Sequence, residues 1–330
     1  MTGLKLINGL VYDPINGIEG KVKDIFMEGG KIVEKLSNES QAREMNVSGK
    51  TVIPGGLDIH AHVASQQVNW ARLLGQDVPE FKVTWNGLML KQIARDYLST
   101  GYTFLLEANV HPSLASQATF NLNNLPVLDK GMLLNVSNLW ALEPEFEKGK
   151  SHEMAIFLSD LLYKTRGFGL KAYNPFEAEQ WNFKKTRKNL NQEGVLYSFT
   201  PLKVYETLAK ANDELGLPHS LHAHVEGYEQ EKGKENLREV LETIKEIDIN
   251  SAKGRAFHIA HASAYNMDGN NQDLIRFMNE NEKFDLDLGF LAFNDLNPLI
   301  TSDRGLINSL TSHDEEKLVR AAVETEGDVF

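Results

Sequence analysis

His60 and His62 stand two residues apart at the end of the apolar run Thr51-Val52-Ile53-Pro54-Gly55-Gly56. On an extended segment both rings point to one face. Two neutral imidazoles sharing one cation are a common zinc arrangement, so the pair reads as the opening of a hydrolytic metal site. Lys171 sits inside the apolar stretch Phe168-Gly169-Leu170-Lys171-Ala172-Tyr173. A buried ammonium is costly, so Lys171 needs a charge partner, a lowered pKa or a modification. A lysine kept neutral by burial can add carbon dioxide, and the resulting carbamate is a carboxylate-like ligand able to bridge two metals. The bland alternatives are a lysine snorkelling from a strand end or one paired with an acid.

His219, His222 and His224 fall close together in one segment. Strand parity puts His222 and His224 on one face, where one or both can serve the metals, and puts His219 on the other as a structural or rim residue. His261 closes the next apolar segment, and His258, of opposite parity, is read as structural. His111, His152 and His313 lie in loop or helical contexts and read as surface residues. Two divalent cations at such a site would supply a nucleophile at neutral pH and polarise a carbonyl, with a nearby carboxylate as general base. No aspartate in an eighth strand is evident. Asp303 is the nearest candidate, but Thr301-Ser302-Asp303-Arg304-Gly305 reads as a turn.

These residues need strands to carry them. Residues 1–52 read as short strands broken by turns at Asp13-Pro14, Asn16-Gly17 and Glu28-Gly29-Gly30-Lys31, a strand-rich portion too small to bury both its faces alone. From residue 53 the pattern becomes alternating strands and helices. The expected strands cover residues 53–62, 103–108, 133–136, 169–173, 220–225, 256–261 and 284–288, with helices over 88–97, 152–165, 201–215 and 236–246. Alternation over this length favours an α/β fold of the TIM-like (β/α)8 type, occupying residues 53–330. Residues 313–326 read as a charged helix, and the eighth strand finds no clear place.

At 330 residues the chain can bury a large core, and its formal net charge of -12 argues against a nucleic-acid backbone or an anionic membrane surface as main partner. The absence of cysteine excludes disulfides, thiolate nucleophiles and cysteine-held iron–sulfur clusters on this chain. The first residues lack a basic-then-apolar leader, and no apolar run approaches the roughly 20 residues of a membrane span, so a cytoplasmic location without membrane insertion is expected.

Several blocks together resemble the family of the amidohydrolase-like subunit of formylmethanofuran dehydrogenase, within the amidohydrolase superfamily. They are Pro54-Gly55-Gly56-Leu57-Asp58-Ile59-His60-Ala61-His62, Gly101-Tyr102-Thr103 with Glu107-Ala108, Lys171-Ala172-Tyr173-Asn174-Pro175, and Leu215-Gly216-Leu217-Pro218-His219-Ser220-Leu221-His222-Ala223-His224. The likeness extends to Val323-Glu324-Thr325-Glu326-Gly327. The Gly-Leu-Pro-His-Ser and Lys-x-x-Asn-Pro blocks are fairly specific, whereas His-x-His is shared across the superfamily.

The resemblance implies a metal-dependent amidohydrolase barrel flanked by a small β-sandwich-like domain, whose N-terminal part is residues 1–52. It implies two divalent ions, zinc in the family, held by His60, His62, a carboxylated Lys171, His224 and His261; Lys171 and, from its place on the inner face, His222 are the catalytic candidates. The implied reaction interconverts N-formylmethanofuran with formate plus methanofuran in one-carbon metabolism and methanogenesis. Implied partners are molybdenum- or tungsten-containing and iron–sulfur subunits. Family members continue further and carry a strand 8 aspartate there, so the expectation is either a fragment or split-gene product, or a partner chain that supplies that portion. Two other readings stand beside this one: a cyclic amidase of the dihydropyrimidinase or hydantoinase kind, and a non-catalytic partial barrel that needs a partner chain.

Overall fold

A computed structural model of the chain describes residues 3–65, 87–176, 189–227, 232–249, 255–265 and 271–288. Asp303, His313 and residues 313–326 lie outside the described residues. Contacts divide the chain into two compact units, Met1–Leu57 and Asp58–Phe330. The sequence alone places this boundary after residue 52.

In the first unit, strands β1 (Leu4–Asp13) and β2 (Ile18–Glu28) form an antiparallel hairpin. A single 3-10 turn, Pro14–Asn16, closes it, and Gly17 follows at φ 68°. Proline presets the turn's first φ and glycine accepts the left-handed exit at no steric cost, which is why the Asp-Pro and Asn-Gly pairs mark this hairpin. β3 (Lys31–Val33) pairs antiparallel with β2, while β4 (Arg43–Asn46) and β5 (Thr51–Val52) run parallel to β1. Val11, Leu36 and Val47 are buried, but Ile15, Val22 and Ile32 are exposed, as expected of so small a sheet.

The second unit is a partial (β/α) barrel. Its seven-stranded sheet follows chain order: β6 (Gly56–Ala61), β7 (Tyr102–Val110), β8 (Asp129–Asn135), β9 (Gly169–Tyr173), β10 (Leu221–His224), β11 (Phe257–Ile259) and β12 (Phe284–Leu286). Every pair from β7 to β12 is parallel. Helices α1 (Gly87–Ser99), α2 (Ala115–Asn123), α3 (Glu143–Lys148), α4 (Ser151–Thr165), α5 (Pro201–Glu214), α6 (Gly233–Lys245) and α7 (Gln272–Glu280) lie between the strands. The parallel strands are largely buried on both faces because helices cover one side and the barrel interior the other; all of β9 is buried.

Helix burial follows the 3.6-residue period. α4 buries Met154, Leu158 and Leu162 on one stripe, and α6 buries Leu237, Val240, Leu241 and Ile244. α5 is started by Thr200, whose side chain accepts the Lys203 N–H at 3.2 Å, with Pro201 in the first helical position. No described helix is long and apolar enough to cross a membrane.

Candidate metal centre

The histidine pair is seated at the end of β6. His60 N donates to Asp58 Oδ1 at 3.0 Å, and Tyr97 of α1 donates its hydroxyl to Asp58 Oδ2 at 2.6 Å. Burial, reinforced by the Asp58 carboxylate, raises the Tyr97 pKa, so its hydroxyl stays a donor. Asp58 thereby ties the backbone of the first ligand candidate to the neighbouring helix. His62 follows the strand, with Nδ1 3.3 Å from Glu107 Oε1 on β7.

Strand register then places a polar row across the barrel interior. Asn135 pairs with Lys171, Lys171 with His222, His222 with His258, and His258 with Asp285. Registered neighbours on parallel strands share a face, so one layer carries an amide, an amine, two imidazoles and a carboxylate. The His222 and His258 rings stack at 4.4 Å. His222 Nε2 lies 2.9 Å from His60 Nδ1, which joins this row to the opening pair. His224, two residues on and on the same face, stacks against Tyr173 at 4.6 Å.

Asp287, just beyond β12, gathers the far side. Its Oδ2 is 3.1 Å from His258 Nε2 and 3.3 Å from His60 Nδ1, and its Oδ1 accepts the His261 N–H at 2.7 Å. His258 uses its other nitrogen, Nδ1, on Asp285, which also accepts from Ser220 Oγ at 3.2 Å.

The electrostatics sort these groups. Burial and then the Lys171 charge hold His60 and His224 well below the ordinary imidazole pKa; burial and then His258 do the same to His222. His261 is lowered to about 4, mainly by burial. These four rings are neutral at neutral pH, the form that binds metal. Burial acts to raise the Asp287 carboxyl, but hydrogen bonds from His258 and His60 outweigh it and leave the group ionised. His258 is the exception among the rings: burial lowers it, yet Asp285 and Asp287 together raise it.

All the histidines expected at the site, together with Lys171, line this interior. Ring centroids lie 5.2 Å from His60 for His62, 4.8 Å for His222, 6.4 Å for His224 and 4.2 Å for His261. Lys171 is buried, its Nζ 5.9 Å from the Tyr173 ring centre. The donor set suits a divalent cation. Among the described residues, ligand atoms of His60, His222 and Asp287 fall within 4.8 Å of one another, and the buried His60 Nε2 has no hydrogen-bond partner. His152 instead pairs with Glu214 at the surface, and His111 accepts the Ser113 N–H at the start of a short turn.

Two placements differ from strand parity. His219 is not turned away: its Nε2 is 3.3 Å from His222 Nδ1. β10 begins only at Leu221, so parity counted back to residue 219 has no force. His258 belongs to the inner row because it lies within β11 in register with His222, and His261, beyond the strand's end at Ile259, is brought round by a left-handed backbone, φ 53°. Asp285 and Asp287 are the functional candidates that the sequence reading passes over. Their signal is an acid at alternate positions of Phe284-Asp285-Leu286-Asp287-Leu288, which puts both on one face.

No family model matches the chain. It is 32% identical over 258 residues to Protein FwdA of Methanocaldococcus jannaschii, covering 75% of this chain and 45% of that protein. It is 28% identical over 269 residues to the FhcA component of the formyltransferase/hydrolase complex Fhc of Methylorubrum extorquens, covering 79% and 47%. The chain thus spans about half the length of the curated relatives it matches. Among solved structures, the formyltransferase/hydrolase complex FhcABCD of Methylorubrum extorquens, bound to methylofuran, aligns with a TM-score of 0.76 at 25% identity, over 88% of this chain and 55% of that one.

Proposed function

Because the chain belongs to the family of FwdA and FhcA, the amidohydrolase-fold component of formylmethanofuran dehydrogenases and hydrolases, we propose that it carries the metal site of a formamide hydrolase. The reaction breaks or makes the C–N bond between a formyl group and an amine, N-formylmethanofuran being exchanged with formate plus methanofuran. What supports this most is the convergence of neutral, buried imidazoles from β6, β10 and the turn after β11 with Lys171 of β9, at one end of a parallel barrel, where such folds keep their chemistry.

Bound divalent ions, zinc by family likeness, supply Lewis acidity and an activated water. His60 and His62 would hold them from β6, and a carboxylated Lys171 would add an anionic oxygen donor from β9. The resemblance assigns His224 and His261 to the remaining positions. The grouping of ligand atoms of His60, His222 and Asp287 within 4.8 Å of one another supports His222 as a β10 ligand beside His224. Hydrogen bonds from His258 and His60 keep the Asp287 carboxylate ionised. It acts as a fixed negative charge that orients His60 and His258.

The 330 residues contain no cysteine, so they hold no cysteine-ligated cluster themselves. We infer that the chain works inside an assembly, with molybdenum- or tungsten-containing and iron–sulfur partners. The test is formate release from N-formylmethanofuran beside a panel of hydantoin and dihydropyrimidine rings, by the chain alone and with its partner subunits. Turnover of the formamide supports the reading. Turnover of the rings alone favours a cyclic amidase, and no turnover in any combination favours a non-catalytic partial barrel.

A further inference from the structure

Glu107 takes no part in the chemistry above, yet its carboxylate is fully buried. Its Oε2 accepts three consecutive backbone N–H groups, Val63, Ala64 and Ser65, at 2.7, 2.6 and 3.0 Å. Its Oε1 faces His62 Nδ1 at 3.3 Å and the Asn109 N–H at 3.4 Å. The β7–β8 register shifts between Glu107 and Val110. An irregularity of this kind re-aims a side chain that a regular strand would hold flat in its row. The acid thus binds the segment after the ligand pair with one oxygen and the ring of His62 with the other.

We propose that Glu107 is a positioning residue that fixes the tautomer of His62, a role that rests on His62 being a metal ligand. A carboxylate only accepts, so the imidazole proton must sit on Nδ1, and Nε2 keeps its lone pair for a cation. The three amides clamp the same carboxylate and turn one oxygen permanently toward the ring. The nest of three amides holds the charge of the buried carboxylate on one oxygen, which leaves the other as the acceptor that faces the ring.

Glu107→Gln separates the two roles. Its amide oxygen must face the three N–H donors, since the NH2 group would oppose them, so the NH2 group faces His62. That group donates, which forces the ring proton onto Nε2. Two readouts are taken on the whole chain: the His62 ring 15N shifts in metal-free protein, and zinc affinity by competition with a chelator. The expected results are an Nδ1–H ring in the wild type, an Nε2–H ring in Glu107→Gln, and zinc affinity lower by about 10- to 100-fold in the variant. Glu107→Asp, which keeps a carboxylate, should retain the Nδ1–H ring. An Nε2–H ring in the wild type overturns the proposal without any variant. So does a Glu107→Gln protein with unchanged ring shifts and zinc affinity, which would leave Glu107 as a loop anchor. If the tautomer switches but even the wild type binds no zinc, the metal reading fails while the control of the ring by Glu107 stands.

Discussion

Substitutions at His222 and His224 should test two residues that share a face of β10. Ligand atoms of His222, His60 and Asp287 lie within 4.8 Å of one another, and His224 is the ligand that the resemblance assigns. His222→Ala and His224→Ala should therefore each lower zinc affinity by more than about 100-fold, measured by chelator competition. Unchanged affinity in either variant would remove that residue from the ligand set. A second substitution addresses the row below. Asp285→Asn removes the charge paired with His258 Nδ1, which is itself buried. A hydrogen bond to a charged group contributes about 1.5–3 kcal/mol, so chemical denaturation should show a loss of that order. How far these residues are legible follows from where each strand stops. His60, His62, His222, His224 and Lys171 can be read because they sit in or against apolar runs where the two-residue period holds. Parity misplaces His219 because it is carried past the start of β10, and sets His258 apart from His261 because it is carried past the end of β11, into backbone that no longer alternates. No local pattern announces the left-handed turn that brings His261 to Asp287.

At the scale of elements, α5 holds the site through its start and its middle. Thr200 caps its first turn, and Tyr205 donates its hydroxyl to the His224 carbonyl at 2.6 Å. Thr200→Ala should cost about 1 kcal/mol and Thr200→Ser should recover most of it, since the serine hydroxyl can accept the same N–H. Thermal or denaturant unfolding of both variants checks this, and equal losses would rule out the cap as a source of stability. The helix is legible because its cap, proline and apolar stripe agree with one another. The sheet is legible as alternation, but the register that lines up Lys171, His222, His258 and Asp285 is a tertiary result, set by how four strands twist and pack.

Across the whole molecule the buried histidines set the response to acid. His60, His222 and His224 are held well below the ordinary value of 6.5, and His219 and His261 are lowered to about 4, each chiefly by burial. Between those values the unfolded chain binds more protons than the folded one. Their stabilising effect is therefore complete above about pH 6.5 and is lost as pH falls toward the folded pKa values. His258 has the opposite sign, its contribution present at low pH and lost as pH rises through its elevated value, and it offsets only part of the set. Urea midpoints of metal-free protein should fall steadily from about pH 7 to about pH 4.5. A flat profile would show that these rings are not buried neutral.

Metal content per chain tests whether His60, His62, Lys171 and the histidines of residues 222–261 build a metal site. Elemental analysis after equilibrium dialysis against zinc should find about two ions per wild-type chain, as a bridged site requires, and a clear deficit in His60→Ala. No bound metal in the wild type, or the same content in His60→Ala, would contradict it.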